Sequence, residues 1–144
     1  MLHILLAEDN RGDVLLIRQA LDEYSVAHTL YVVHDGAEAI DFIHSMGAAA
    51  TVPCPDLMIL DLNLPKADGQ QVLSEFRRRE ECVDTPVVVI SSSDAPRDKA
   101  RMAELGVASY FRKPSDLDEF LKLGAVVRDI VGPGEASRTF TGRG

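Results

Sequence analysis

The chain has 144 residues, the size of one α/β domain able to bury a core without disulfides or a structural metal. Fifteen Lys and Arg against 23 Asp and Glu leave a net charge of −8, which repels a phosphate backbone and argues against direct nucleic-acid binding. A hydrophobic share of 46% with 26% charged residues excludes wholesale disorder, collagen-like repeats and coiled coils.

Short apolar runs alternate with amphipathic stretches from the first residues onward. Leu2 to Ala7 is the first predicted strand. It is too short for a signal segment, lacks a basic flank and stops at Glu8 and Asp9, so export is not expected. A helix follows from Asp13 to Tyr24, with Val14, Ile17 and Leu21 at helical spacing and Asn10 with Asp13 as its capping pair. Thr29 to Val33 reads as the second strand. Asp35 and Glu38 open a helix from Ala37 to Met46, and Gly47 to Pro55 reads as a loop.

The apolar run Leu57 to Leu60 predicts a third strand, covered on both faces. A helix over Gly69 to Arg79 follows, and Arg77-Arg78-Arg79 with Glu80-Glu81 reads as its solvated end. The fourth strand is Val87 to Ile90. Ser91-Ser92-Ser93 then leads to a cap at Ser93 or Asp94, and Pro96 suits the first turn of a helix over Arg97 to Leu105. Ser109 to Arg112 is the fifth strand, and Ser115 with Asp118 opens a last helix from Asp116 to Ile130. Gly132-Pro133-Gly134 ends it, so the domain spans residues 1–131 and residues 132–144 read as a disordered tail.

Parallel strands joined by right-handed crossovers fold most simply into a flavodoxin-like three-layer α/β sandwich. The expected sheet has five strands in the order 2-1-3-4-5, with five helices around it. No stretch approaches the roughly 18 apolar residues of a membrane span, so a soluble, cytoplasmic chain with no membrane contact is expected. Cys54 and Cys82 match no zinc or C-x-x-C spacing and are expected to be reduced thiols.

In such a sheet all C-terminal strand ends share one edge, where open α/β folds bind ligands. That edge collects Glu8 and Asp9 after strand one, Asp61 after strand three, Ser91 after strand four and Lys113 after strand five. Three carboxylates held together repel by about 1 to 4 kcal/mol per pair, which invites a divalent cation. Oxygen donors without His or Cys favour magnesium or manganese. Magnesium usually retains open positions for phosphate oxygens. Lys113, the Ser91 hydroxyl and backbone N–H groups of the Leu62 to Pro65 turn are placed to hold a phosphoryl group. Asp61 is then the candidate nucleophile, forming an acyl phosphate.

With these motifs in this order, the chain resembles a response regulator receiver domain over residues 1 to about 131. The resemblance implies that Glu8 and Asp9 are the acidic magnesium pair and that Asp61 is both phosphoacceptor and metal ligand. It also implies that Asn63 lends a backbone carbonyl to the metal. Ser91 fills the hydroxyl switch position, Tyr110 the aromatic switch position, and Lys113-Pro114 the lysine-proline step, usually a cis peptide. Glu8 stands where Asp is commoner and Ser91 where Thr is commoner; neither change removes the required group. The runs Asp61-Leu62-Asn63-Leu64-Pro65-Lys66 and Lys113 to Phe120 resemble stand-alone regulators that pair with bacterial phytochromes.

The implied function is magnesium-dependent transfer of a phosphoryl group from a sensor histidine kinase, of phytochrome type, to Asp61. The signal then passes through a changed protein-binding face. The chain runs on only shortly past the fifth helix, so the expected output is contact with a downstream protein rather than an enzymatic or DNA-binding domain, and no enzyme activity is expected. Two rivals fail on residues: an aspartyl-phosphate phosphatase needs a second Asp where Asn63 stands, and a flavin-type phosphate cradle would not be as acidic as Glu8 to Asp13. A receiver-like interaction module that takes no phosphate is the remaining alternative. His3, His28, His34 and His44 are scattered, and none is expected to be catalytic.

The fifth helix carries more apolar residues than one buried face needs. Leu117, Phe120, Leu121 and Val127 are expected to pack on the sheet, with Leu123, Val126 and Ile130 as a second stripe. Together with the likeness to phytochrome-partner regulators, this predicts a homodimer through the helix-five face.

Overall fold

A computed structural model describes residues 2–46, 54–92 and 95–132. Its strands are β1 (Leu2–Ala7), β2 (His28–Val33), β3 (Leu57–Asp61), β4 (Val87–Ser91) and β5 (Ser109–Arg112), paired in parallel in the order β2-β1-β3-β4-β5. The helices are α1 (Arg11–Glu23), α2 (Gly36–His44), α3 (Gly69–Arg77), α4 (Pro96–Glu104), α5 (Leu117–Leu121) and α6 (Leu123–Val131). A short 3-10 turn at Glu80–Cys82 follows α3. The fold is the expected flavodoxin-like sandwich. The expected tail from 133 onward, the loop segment 47–53 and the caps at Ser93 and Asp94 lie outside the described residues.

Alternation along the central strands divides the core into two layers. Leu5, Ala7, Met58, Leu60, Val87 and Val89 face α2, α3 and α4, packing with Ile43, Val72, Phe76 and Met102. Ile4, Leu6, Leu57, Ile59, Val88 and Ile90 face the other way, packing with Ile17 and Leu21 of α1 and with Phe120, Leu123 and Val127 of α5 and α6. The same alternation dictates where the site residues go. Asp61 follows Ile59 on the α1 side, whereas Ser91 follows Val89 on the α3 and α4 side.

The expected fifth helix is interrupted at Lys122, whose backbone stays in the right-handed helical region, so α5 and α6 continue one helical path. The buried stripe runs through Phe120, Leu123 and Val127 at unbroken helical spacing, a different phase from the one expected. Leu123, expected on the outer stripe, is fully buried, while Leu117, expected in the core, is 47% exposed. Val126 and Ile130 are half-buried. Gly124 makes this packing possible: a Cβ there would stand 2.0 Å from the Ala20 carbonyl oxygen of α1. Arg128 stacks over the Tyr24 ring from the same helix, at 5.2 Å.

Several local expectations change. The side chain capping α5 is Asp116, which accepts from the Asp118 N–H at 2.8 Å, rather than Ser115. A carboxylate one residue nearer the helix serves its first turn better. The cap position of α4 is Ala95, with no side-chain cap, and Pro96 is in the first turn as expected. Asn10 and Asp35 cap α1 and α2 as read, and Asp68 caps α3.

The Arg77-Arg78-Arg79 run is not a solvated end. Arg77 donates to the carbonyls of Thr85 at 2.8 Å and of Val83 and Gly106, and Arg79 donates to the Met46 carbonyl. Only Arg78 is mostly exposed, at 78%. A guanidinium beside unpaired loop carbonyls replaces water there.

The expectation of two reduced thiols is also corrected. Cys54 and Cys82 form a disulfide across 28 residues, with Cα atoms 5.6 Å apart. Spacing along the chain conceals this, because the start of β3 and the turn after α3 become neighbours only when the βα unit closes.

Candidate functional site

The site grows from the ends of the strands. A strand that is buried on both faces can end in a charged residue only if that charge finds partners. Asp61 is 3% exposed and Glu8 is fully buried. Lys113, the first residue past β5, donates its backbone N–H to the Ser91 carbonyl at 2.7 Å, which fixes where its side chain begins. Its ammonium then reaches Asp61 Oδ2 at 3.0 Å and Glu8 Oε1 at 2.8 Å. Asp61 is oriented from its other oxygen by the Asn63 N–H, 2.8 Å from Oδ1. Glu8 Oε2 accepts from the Asn10 N–H at 3.1 Å.

A further carboxylate joins them. Asp13 Oδ2 lies 2.8 Å from Lys113 Nζ, across 100 residues of sequence. From sequence, Asp13 is expected only in the first turn of α1, as a partner of the Asn10 cap. That reading holds, since Asn10 Oδ1 accepts the Asp13 N–H at 3.0 Å. Nothing in the local sequence signals this second role, because the partner lies just past the far end of β5 and meets α1 only in the folded layer.

Three carboxylates, of Glu8, Asp13 and Asp61, therefore surround one ammonium, and that of Asp9 lies beside two of them. One oxygen each from Glu8, Asp9 and Asp61 lies within 4.8 Å of the others, with Asp9 exposed and the other two buried. Glu8 Oε1, although beside Lys113, makes no aligned hydrogen bond. Burial first, then its contact with Asp61, push the Glu8 carboxyl up to about 7. Burial would lower the Lys113 ammonium, but the carboxylates of Asp13, Glu8 and Asp61 against it outweigh that and raise it well above the usual lysine range. The arrangement is short of positive charge. An all-oxygen donor set with a buried, poorly satisfied carboxylate fits a hard divalent cation.

Ser91 is buried at the end of β4. It lines a cavity of about 190 Å³ with Leu62, Asn63, Gln70, Asp98 and Arg101. The turn between Asp61 and α3 that borders it is held by backbone: Leu62 N–H donates to the Ile90 carbonyl and Gly69 N–H to the Leu62 carbonyl, both at 3.1 Å. Gly69 is needed here because a Cβ would meet the Leu62 Cα at 2.7 Å. Tyr110 is half-buried on β5, in register with Val89 and packed against the α2 to α4 layer. Glu8, Asp9, Asp61, Ser91 and Lys113 are thus brought to one edge, with Asn63 lining the cavity beside Ser91 and Tyr110 packed in the layer that Ser91 faces. The Lys113–Pro114 bond departs from the implied cis form: among the described residues no peptide bond is cis.

The histidines sit elsewhere, each with a local partner. His3 pairs with the Tyr31 hydroxyl, His28 with the Val26 carbonyl, His34 with Glu38 and His44 with Glu75. Among the described residues no helix is long and apolar enough to cross a membrane.

The family description "Response regulator receiver domain" matches residues 4–124. Response regulator Rcp1 of Synechocystis is 36% identical over 120 residues, which cover 83% of this chain and 82% of that protein. The crystal structure of the Mn(2+)-bound form of Rcp1 superposes with a TM-score of 0.78 at 33% identity, over 90% of this chain and 93% of that one. That of the phosphorylated cyanobacterial phytochrome response regulator RcpA gives 0.79 at 36% identity, over 90% and 92%. Geometry and kinship agree: this chain belongs to the response regulator receiver domain family and is similar to the regulators of cyanobacterial phytochromes.

Proposed function

We propose that this receiver domain accepts a phosphoryl group on Asp61 from a sensor histidine kinase, of phytochrome type, in a magnesium-dependent reaction, and acts as a switch rather than an enzyme. The observation that carries this reading is the placement of Asp61. Its carboxylate ends the central strand, buried, 3.0 Å from Lys113 Nζ and clustered with Glu8 and Asp9.

In the transfer, an Asp61 carboxylate oxygen attacks phosphorus, forming the acyl–phosphate bond as the phosphorus–nitrogen bond of the donor's phosphohistidine breaks; the imidazole leaves with a proton. Glu8, Asp9, Asp61 and the Asn63 carbonyl would hold the cation, which supplies positive charge to the phosphoryl oxygens. Lys113 supplies the second positive charge, already beside the acceptor oxygen. Asp13 keeps that ammonium on the Asp61 side between events. The Ser91 hydroxyl, drawn toward the phosphoryl group, leaves space for the Tyr110 ring and so alters the face of β4, α4 and β5.

A cytoplasmic location, a downstream protein target and no nucleic-acid or membrane partner complete the reading. Homodimerisation through the helix-five face belongs to it too. The half-buried Val126 and Ile130 support this face.

Incubation with magnesium and acetyl phosphate, followed by intact-mass measurement, should add one phosphoryl group. Asp61→Asn should abolish it, and Asp9→Ala should weaken the magnesium titration. No labelling of the folded wild type would favour an interaction module that takes no phosphate. Beryllofluoride should shift Tyr110 NMR signals. Sedimentation of Ile130→Glu as a folded monomer, against a wild-type dimer, would place the interface.

A further inference from the structure

We propose that Cys54 and Cys82 form a reversible redox site at the end of the sheet opposite Asp61, opened and closed by exchange with small thiols and disulfides of the glutathione class. The pair does not depend on its own bond to meet. Thr85 Oγ1 donates to the Pro55 carbonyl at 3.1 Å, Asp56 N–H donates to the His3 carbonyl at 2.7 Å, and Arg79 donates to the Met46 carbonyl. On the other side, Cys82 N–H donates to the Arg79 carbonyl at 2.9 Å and the Thr85 N–H to the Cys82 carbonyl at 3.1 Å. These bonds hold the two Cα atoms 5.6 Å apart, within the range a disulfide spans.

Both redox states suit the fold. Cys82 is fully buried in the layer that contains Phe76 and Val87, where a thiol behaves as a small apolar side chain. Cys54 is only half-buried, so its sulfur is the one a solvent thiol can reach. A domain of this size also has core enough without a covalent staple. In a reducing compartment, a bond of this kind senses or switches rather than merely holds.

For closure, the Cys54 thiolate attacks one sulfur of a disulfide RSSR, forming Cys54–S–S–R and expelling RS⁻. Cys82 then loses its proton and attacks the Cys54 sulfur, forming the internal bond and expelling the second RS⁻. Overall, two protein thiols and RSSR give one internal disulfide and two RSH; the protein is oxidised and RSSR reduced. Opening is the reverse, begun by thiolate attack at Cys54. The closed loop encloses all of β3 and α3, and with them Asp61. Closure should therefore suppress opening of that βα unit.

The test uses the full chain in mixtures of reduced and oxidised glutathione, acid-quenched, then denatured and alkylated with N-ethylmaleimide near neutral pH and weighed. Between the extremes, the count of labelled cysteines should pass from two to zero in one transition, reached equally from either side. The oxidised form should show an unfolding equilibrium constant about a hundredfold smaller, with slower amide exchange across β3 and α3. Folded Cys82→Ser should accumulate a glutathione adduct on Cys54, while folded Cys54→Ser should leave Cys82 unreacted. Two labelled cysteines at the highest oxidised glutathione would overturn the site. So would a bond that excess dithiothreitol fails to open without denaturant, and equal reactivity of the two variants would overturn attack at Cys54.

Discussion

At the C-terminal end of the sheet, Glu8, Asp61 and Ser91 are buried polar groups, the two carboxylates sharing a single ammonium. At the N-terminal end, Leu2, Leu57 and Val87 are equally buried, with Cys82 beneath them, and all are apolar. The same strands thus finish in opposite chemistries. Burial at the lower end stabilises the fold with no carboxylate or ammonium to balance. Burial at the upper end costs free energy unless charge is balanced. The difference teaches where a receiver stores its responsiveness: in carboxylates the fold keeps dry but does not fully satisfy.

The largest effect should come from the apolar end. Phe76→Ala leaves a cavity under β3 and β4 and should cost about 3 to 5 kcal/mol, by urea denaturation, with the same loss at pH 5 and pH 8 and with or without magnesium. Lys113→Met attacks the other end, leaving Glu8, Asp13 and Asp61 without their ammonium. It should cost about 3 kcal/mol in metal-free buffer, and added magnesium should restore part of it. A loss insensitive to magnesium would erase the contrast between the two ends.

Glu8→Gln sharpens the comparison by changing sign. The Glu8 carboxyl is raised from 4.5 to about 7 in the folded state, so the native protein binds its proton more tightly than the unfolded chain does. That contribution is fully present below about pH 4.5 and is lost as pH rises through about 7. Stability of the metal-free protein should therefore fall across that window, and Glu8→Gln should flatten the fall, gaining on the order of 2 kcal/mol at pH 8. The same proton competes with a cation, so magnesium affinity should weaken below pH 7 in the wild type.

Asp13→Asn should cost about 1 kcal/mol, because Lys113 keeps two other carboxylates, and thermal denaturation would show it. Smallest is Arg78→Ala. Its pair with Glu75 is 78% exposed on the arginine side, and the change should stay within about 0.5 kcal/mol. Arg77→Ala, which removes donors to three loop carbonyls, should exceed it clearly.

The sequence by itself determined the strands, their order and the polar residues at their ends. Runs such as Leu57 to Leu60 have no other stable place than a sheet covered on both faces, and parallel connection sends every strand end to one edge. Glu8, Asp9, Asp61, Ser91 and Lys113 were legible for that reason. Only the tertiary structure decided which layer each faces, because strand parity sends Asp61 toward α1 and Ser91 toward α3 and α4. Only packing brought Asp13 to Lys113, gave Arg77 and Arg79 their carbonyl partners, broke the fifth helix at Lys122 and exchanged the roles of Leu117 and Leu123. The Cys54–Cys82 bond belongs to the same group. Local propensity acts over one turn or one strand, whereas the Cys54–Cys82, Arg79–Met46 and Asp13–Lys113 contacts join segments about thirty to one hundred residues apart and exist only once the layers close.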